Sequence, residues 1–371
     1  MGNRGRMAAL VRKEMTQFLR ARFLLSLILY LYTAEVIMCV YSLSFDVRHL
    51  PTVLADFDRS AASRLLAERF QSSGYFRIEH LADREEQIAS LLNQGEVLAA
   101  ITIPPEFSKQ LARGERASLQ LLLDGSNANT ASVAQGYAQR IVQNFALDRV
   151  GASRADLMPP VEHRPRIWYN SELKYSYFMV LSMIAQAGML VGVITAAAGI
   201  VREKESGTIE QMMVTPIAPA EFIMAKMLPP LVVGLLALIP GLVVAAVVGV
   251  PLRGNVAWFF VFSAVFLASS MAIGILVATI SETLQQALLI AFFALFPIMF
   301  LSGTVVPVES MPLGMQYLAE LSPLRHYMEA ILGIFLKGVG FEILWPRLAA
   351  VAVIGAALLG WSLLRFRRHM G

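Results

Sequence analysis

Three groups of residues in this chain have types and spacings that could carry chemistry. Asp56-Phe57-Asp58-Arg59-Ser60 follows an apolar, strand-like run. An Asp-x-Asp at the end of a strand can act as a phosphotransfer nucleophile with Mg²⁺. The same residues suit a simpler role, with Asp58 or Ser60 capping the next helix. No matching lysine or second acidic pair stands near them, which favours the cap. Ser171-Glu172-Leu173-Lys174 fits the S-x-x-K of acylating enzymes. It sits at the edge of an apolar run with neither S-D-N nor K-T-G elsewhere, so chance is the better account. Five histidines (His49, His80, His163, His326, His369) are scattered without metal-binding spacing, and Cys39 is the sole cysteine. No metal site and no catalytic residue is expected from these patterns.

The densest polar group has a different character. Arg202-Glu203-Lys204-Glu205-Ser206-Gly207-Thr208-Ile209-Glu210-Gln211-Met212-Met213-Val214-Thr215-Pro216 lies between two apolar runs of membrane length. Thr208 and Gln211 have the spacing of a capping box, Gly207 permits a turn before it, and Pro216 disfavours helix at Thr215. A helix of about seven residues, roughly 10 Å long, follows from these signals. Pro219 then suits the first turn of the next helix, with Glu221 near its positive end. A short rigid helix on a membrane surface is suited to docking and leverage.

Composition fixes the setting. The chain has 371 residues, 56% hydrophobic and 16% charged, where soluble domains average about a quarter charged. The net charge of +4 resides in clusters flanking apolar runs (Arg4, Arg6, Arg12, Lys13, Arg20 and Arg22, then Arg365, Arg367 and Arg368). That placement indicates membrane anchoring and argues against nucleic acid as a partner.

The elements follow from periodicity. Residues 1–22 form an N-terminal segment whose positions 7–20 read as an amphipathic helix in the headgroup region. Residues 23–45 form a first span carrying Glu35 near its middle. A central carboxylate costs about 2.5–3.5 kcal/mol on insertion, so Glu35 should face protein or water. Residues 46–170 hold 14 basic and 15 acidic residues. Strand patterns at 52–56, 76–78, 97–103 and 119–123 alternate there with helical ones at 60–72, 83–94, 105–113 and 131–150, a small α/β domain. The remainder, 171–371, holds five more spans at 175–201, 222–248, 256–280, 285–301 and 343–364. Six spans put both termini on one side. That side carries about twelve basic residues; the short opposite loops carry Arg253, Arg325, Lys337 and Arg347. The termini and the 202–221 loop are therefore expected in the cytoplasm and the α/β domain outside. Segment 302–342 is apolar in its middle but broken by Pro323, which suggests two short re-entrant helices in the outer leaflet. Glu35, with Gln186 and Thr195 on the second span, are the membrane-embedded polar residues suited to a substrate pathway.

The run from Arg202 through Lys226 closely resembles the cytoplasmic motif of type-2 ABC transporter permeases. Arg166-Ile167-Trp168-Tyr169-Asn170 is similar to the family's approach to the second span, although Ser171 stands where proline is common. Leu301-Ser302-Gly303 through Pro307-Val308-Glu309-Ser310-Met311-Pro312, and Ser322-Pro323-Leu324-Arg325-His326-Tyr327, resemble its outer loop and re-entrant helices. The strongest likeness is to bacterial drug-efflux permeases. It implies a bacterial inner-membrane protein in which Arg202, Glu203, Glu205, Gly207, Thr208, Glu210, Thr215 and Pro216 form a coupling helix region. That region would seat on a separate ATP-binding subunit. The sequence has no G-x-x-x-x-G-K-[ST], so ATP and Mg²⁺ would belong to that partner. The resemblance also implies a second permease half, either an identical copy or a sister chain, with the outer domain open to a periplasmic adaptor. Drug-like or lipid-like amphiphiles would be moved outward. Two other classes remain open at this point: a membrane-tethered sensor whose α/β domain binds a ligand, and an outer-face hydrolase using Asp56.

Overall fold

The computed structural model describes residues 3–42, 49–126, 128–150, 174–208, 218–306 and 308–370. It divides into two compact units, Met1–Leu43 with Ile167–Gly371, and Ser44–Arg166.

The first unit opens with α1 (Asn3–Arg20), longer at its start than the apolar period required. The first span, Arg22–Ser42, is two helices rather than the continuous one expected: α2 (Arg22–Tyr32) and α3 (Ala34–Ser42). The break falls at Thr33 (φ −126°, ψ −80°). Its amide donates to the Tyr30 carbonyl, a tight i−3 bond, and its hydroxyl donates to Leu29 at 2.6 Å. Threonine bonding back onto its own helix competes with the regular ladder there. The fully buried Tyr32 lies beside the break, packed where Gly188 and Gly241 leave room. A Cβ at Gly188 would stand 3.1 Å from the Tyr32 hydroxyl. The break puts Glu35 in the first turn of α3, where the helix dipole favours negative charge.

The second unit is built on a four-stranded sheet of β1 (Leu50–Asp56), β2 (Phe76–Leu81), β3 (Ala99–Ile103) and β4 (Gln120–Leu123), in the order β2-β1-β3-β4. β1 is parallel to both neighbours and β4 is antiparallel. The helices are α4 (Ala61–Ser72), α5 (Glu85–Gln94), α6 (Phe107–Arg113) and α7 (Ala128–Val150). Alternate residues of β1 face opposite ways. Leu50 and Leu54 join a core with Leu66 and Phe70 of α4, Phe107 of α6 and Phe145 of α7. Val53 and Ala55 join a second core with Ile88 of α5. Helices therefore cover both sheet faces, the doubly wound arrangement that strands alternating with helices require.

Back in the first unit, the chain forms α8 (Tyr175–Glu205), α9 (Pro219–Val248), α10 (Val256–Ile280), α11 (Leu284–Leu301), α12 (Leu313–Ala319), α13 (Pro323–Leu332) and α14 (Phe341–Met370). With Arg22–Ser42, five of these give six stretches long and apolar enough to cross a membrane. The α8 and α10 stretches are mostly buried, while the other four are each less than a third buried, so α8 and α10 form the protein-facing centre. Small residues let these two approach closely. A Cβ at Gly192 would meet that of Ser270 at 2.7 Å, and one at Gly274 would strike the Val193 carbonyl. At 7 and 10 residues, α12 and α13 are too short to cross. Tyr327 of α13 is fixed to α10 by a 2.7 Å hydrogen bond with Ser263 and by stacking on Phe266 at 4.0 Å.

Candidate functional site

The polar island begins inside a helix. α8 continues a full turn beyond the expected end at Val201, because the charged residues of that turn find partners. Glu203 is only 9% exposed. Its carboxylate accepts from Lys226 of α9 at 2.7 Å, and the same ammonium reaches Glu14 of α1 at 2.6 Å. Lys13 completes the group, 3.8 Å from Glu203 and 3.6 Å from Glu14. Two lysines and two glutamates thus tie α1, α8 and α9 together with no net charge. Lys226 bridges both carboxylates with a side chain that is 9% exposed, and also lies 5.8 Å from the Phe222 ring. Burying charge is costly unless it is paired, so these three helices are held in one relation.

Lys204 and Glu205 act on the next connection. The Lys204 ammonium donates to the carbonyls of Ala278 and, at 3.1 Å, Ser281. Those carbonyls end α10, where a cation complements the helix dipole. Glu205 accepts from the amide of Leu284 at 2.7 Å, the first residue of α11, where an anion is favoured. The turn between α10 and α11 is clamped from both sides by two adjacent residues of α8.

Ser206 donates to the Arg202 carbonyl at 2.8 Å, and Gly207 adopts φ +67°, the left-handed geometry that closes a helix. Thr208 was expected to open the next short helix. After the turn at 206–207 Thr208 is again helical, and its hydroxyl turns back onto the carbonyl and carboxylate of Glu203. Arg202 is exposed. Glu210, Thr215 and Pro216, and Gln211 of the expected capping box, lie outside the described residues. The chain resumes with Pro219 in the first turn of α9, where Glu221 accepts from the Ala218 amide at 3.2 Å as its position suggested.

The structure joins Glu203 and Thr208 directly, with Lys204 and Glu205 beside them. It does not gather the membrane-embedded trio. Gln186 and Thr195 are both buried on α8, but nine residues of helix place them about 180° apart. Thr195 donates to the Val191 carbonyl at 2.6 Å. No hydrogen bond or ion pair links Glu35 to either among the described residues.

Asp56 and Asp58 are engaged in fixing loops. Asp56 accepts from the Asp58 and Arg59 amides and, at 2.6 Å, from the Ser63 hydroxyl. Ser60 caps α4 as expected. Asp58 does not cap that helix; it accepts the amide and hydroxyl of Ser108 at the start of α6, at 3.1 and 3.2 Å. Burial raises the Asp58 pKa, but hydrogen bonds from Ser60, Ser108 and the Glu106 backbone outweigh it and hold the carboxyl below the usual range. Among the described residues no group of His, Cys, Asp and Glu is arranged to hold a metal ion. Ser171 of the S-x-x-K pattern lies outside the described residues.

Local reading missed Glu14 and Lys226 as site residues. A signal for Glu14 was present: it falls within the apolar stripe of α1, four residues after Leu10 and four before Phe18. A charge on the buried face of an amphipathic helix requires a partner.

Comparison with known proteins places these features in a family. Residues 21–364 match the ABC-2 family transporter protein. The chain belongs to this family. The Escherichia coli K12 inner membrane transport permease YhhJ is 31% identical over 364 residues, covering 97% of this chain and 96% of that one. The probable multidrug ABC transporter permease YbhR of the same organism is 29% identical over 370 residues, covering 98% and 99%. The Dictyostelium discoideum ABC transporter G family member 20 is 20% identical over 344 residues, 90% of this chain but 46% of its own length. This ABC-2 family member, with six apolar helical stretches of crossing length among its described residues, is a multi-pass membrane protein.

Proposed function

We propose that this chain is the permease subunit of an ATP-driven exporter in a bacterial inner membrane, with both termini cytoplasmic. An ATP-binding subunit would supply ATP and Mg²⁺ and seat on the connection that follows α8. One observation carries the reading: three consecutive residues at the end of α8, Glu203, Lys204 and Glu205, bind α1, α9, α10 and α11. Glu203 and Thr208 hold the α1–α9 corner, and Lys204 and Glu205 hold the α10–α11 turn. A displacement of that connection therefore reaches four other helices without passing through a compliant loop. Such bistable packed contacts turn small local shifts into rigid-body motion. Arg202, Glu210, Thr215 and Pro216 are the residues assigned to the ATPase-facing surface.

Full-length similarity to proteins named multidrug and transport permeases supports an outward-moving carrier of drug-like or lipid-like amphiphiles. Two permease halves, identical or sister, would enclose the path, and Glu35, Gln186 and Thr195 are its assigned polar residues. Gln186 and Thr195 lie on opposite faces of α8, so a path that borders the helix on one side meets only one of them. The α/β domain is assigned to the outer face, where a periplasmic adaptor would dock. The test is transport with a co-purified ATPase. Substituting Glu205 or Gly207 should abolish efflux while insertion persists; normal efflux by both variants would overturn the reading. A tethered sensor is the rival, favoured by the separate compactness of Ser44–Arg166. It needs the outer domain to matter and the cytoplasmic patch to be dispensable, and an efflux assay after deletion of residues 46–165 separates the two.

A further inference from the structure

The α/β unit contains a cleft to which the proposed transport and coupling roles assign no residue. It has a volume of about 800 Å³ and lies among α4, α6, β4 and α7. Its origin is visible in the sequence. Leu119, Leu121 and Leu123 alternate with Gln120 and Leu122, so three leucines point to one face of the edge strand. Phe107 and Leu111 of α6 and Val142 of α7 face the same space. All of these but Phe107 remain partly exposed, so the core narrows to a gap here instead of closing. Along α7, Gln135, Gln139 and Gln143 recur every four residues and form an amide rim.

Two properties define what fits. The volume falls within the range of small-molecule sites, about 300–1,000 Å³. Among the described residues, none lining the cleft is ionisable. A charged ligand would lose its hydration there with no counter-charge, which is strongly unfavourable. An uncharged molecule with an apolar body and one or two hydrogen-bonding groups would bury its body against the leucines and reach the glutamine amides.

We infer that this cleft is a binding site for an uncharged amphiphile, held by the leucines of β4 and the glutamine rim of α7. The site is independent of the permease assignment, because it is read by binding and not by transport.

The test uses full-length protein in nanodiscs and hydrogen–deuterium exchange. Two probes share an arylaminonaphthalene body: N-phenyl-1-naphthylamine is uncharged and 8-anilino-1-naphthalenesulfonate is anionic. At ten times its Kd, the uncharged probe should slow exchange about tenfold in peptides covering 117–123 and 135–146, since binding multiplies protection by 1 + [L]/Kd. The sulfonate should leave them unchanged. Leu121→Asp should abolish protection by the uncharged probe. Should that variant unfold, Gln139→Arg on the exposed rim decides: it supplies the missing counter-charge, and the sulfonate should then protect the same peptides. Equal protection by both probes with the native chain overturns the proposal. So does failure of Gln139→Arg to admit the sulfonate. Protection of the same peptides that rises with protein concentration without a probe would assign the cleft to a second copy, and also overturns it.

Discussion

Lys204 and Glu205 are neighbours in sequence yet hold opposite ends of two different helices, Lys204 on the last carbonyls of α10 and Glu205 on the first amide of α11. Each charge has the sign its helix end prefers. The end of α8 is therefore a mechanical part of the α10–α11 turn, and not a surface loop passing near it.

The first prediction concerns that turn. Glu205→Ala removes the acceptor at the Leu284 amide, a loss comparable to deleting a helix cap, about 0.5–2 kcal/mol. Hydrogen exchange at 284–287 should quicken while exchange in the centre of α10 does not change. Unchanged exchange at 284–287 would show that Thr283, whose hydroxyl accepts from the Gln286 amide, is a sufficient cap alone.

Lys226 bridges two buried carboxylates, so its removal should be costly. Lys226→Met leaves Glu14 and Glu203 facing each other with only Lys13 nearby. Breaking a buried pair in this way typically costs about 3–5 kcal/mol, whereas replacing every partner is far milder. Thermal unfolding in nanodiscs should place Lys226→Met well below the native protein, and Glu14→Gln/Glu203→Gln/Lys226→Met between the two. A triple variant no better than the single one would contradict the account.

Close approach of α8 and α10 depends on Gly274. Gly274→Ala puts a methyl against the Val193 carbonyl and should cost about 1–3 kcal/mol, as overpacking does. Gly199→Ala on α8, where no other atom lies within 4 Å of the new Cβ, serves as the control and should unfold no earlier than the native chain.

Much of this was legible locally. Residues 256–280 were expected as a span, and α10 has those bounds, because Asn255 caps one end and Ser281 leaves helical geometry at the other. The alternation of strands and helices in the α/β unit was equally readable from period and turn residues. What escaped the sequence depends on contacts distant along the chain. Asp58 caps a helix fifty residues later, and Glu14 meets Lys226 across 212 positions. The extra turn of α8 was hidden for the same reason: Arg202-Glu203-Lys204-Glu205 reads as part of a membrane-surface docking connection beyond the span until its partners on four other helices are known. Thr33 looked like an ordinary member of an apolar run, and only its back-bonding reveals the break.

The hydrogen bonds around Asp58 give a pH dependence of definite sign. A carboxyl held below its unfolded pKa contributes stability above about pH 4, lost as pH falls through the folded value. The difference in unfolding midpoint between the native chain and Asp58→Asn should therefore be full at neutral pH and close under acid. A difference constant with pH would assign Asp58 a purely steric role.

The central claim is that work passes from the end of α8 into the membrane body through the Lys204–Glu205 clamp. The most direct measurement is ATP-driven efflux alongside ATP hydrolysis by the reconstituted permease–ATPase complex, native against Lys204→Ala/Glu205→Ala. The account predicts an assembled complex that still hydrolyses ATP but moves no substrate. Efflux at the native rate per ATP would contradict it.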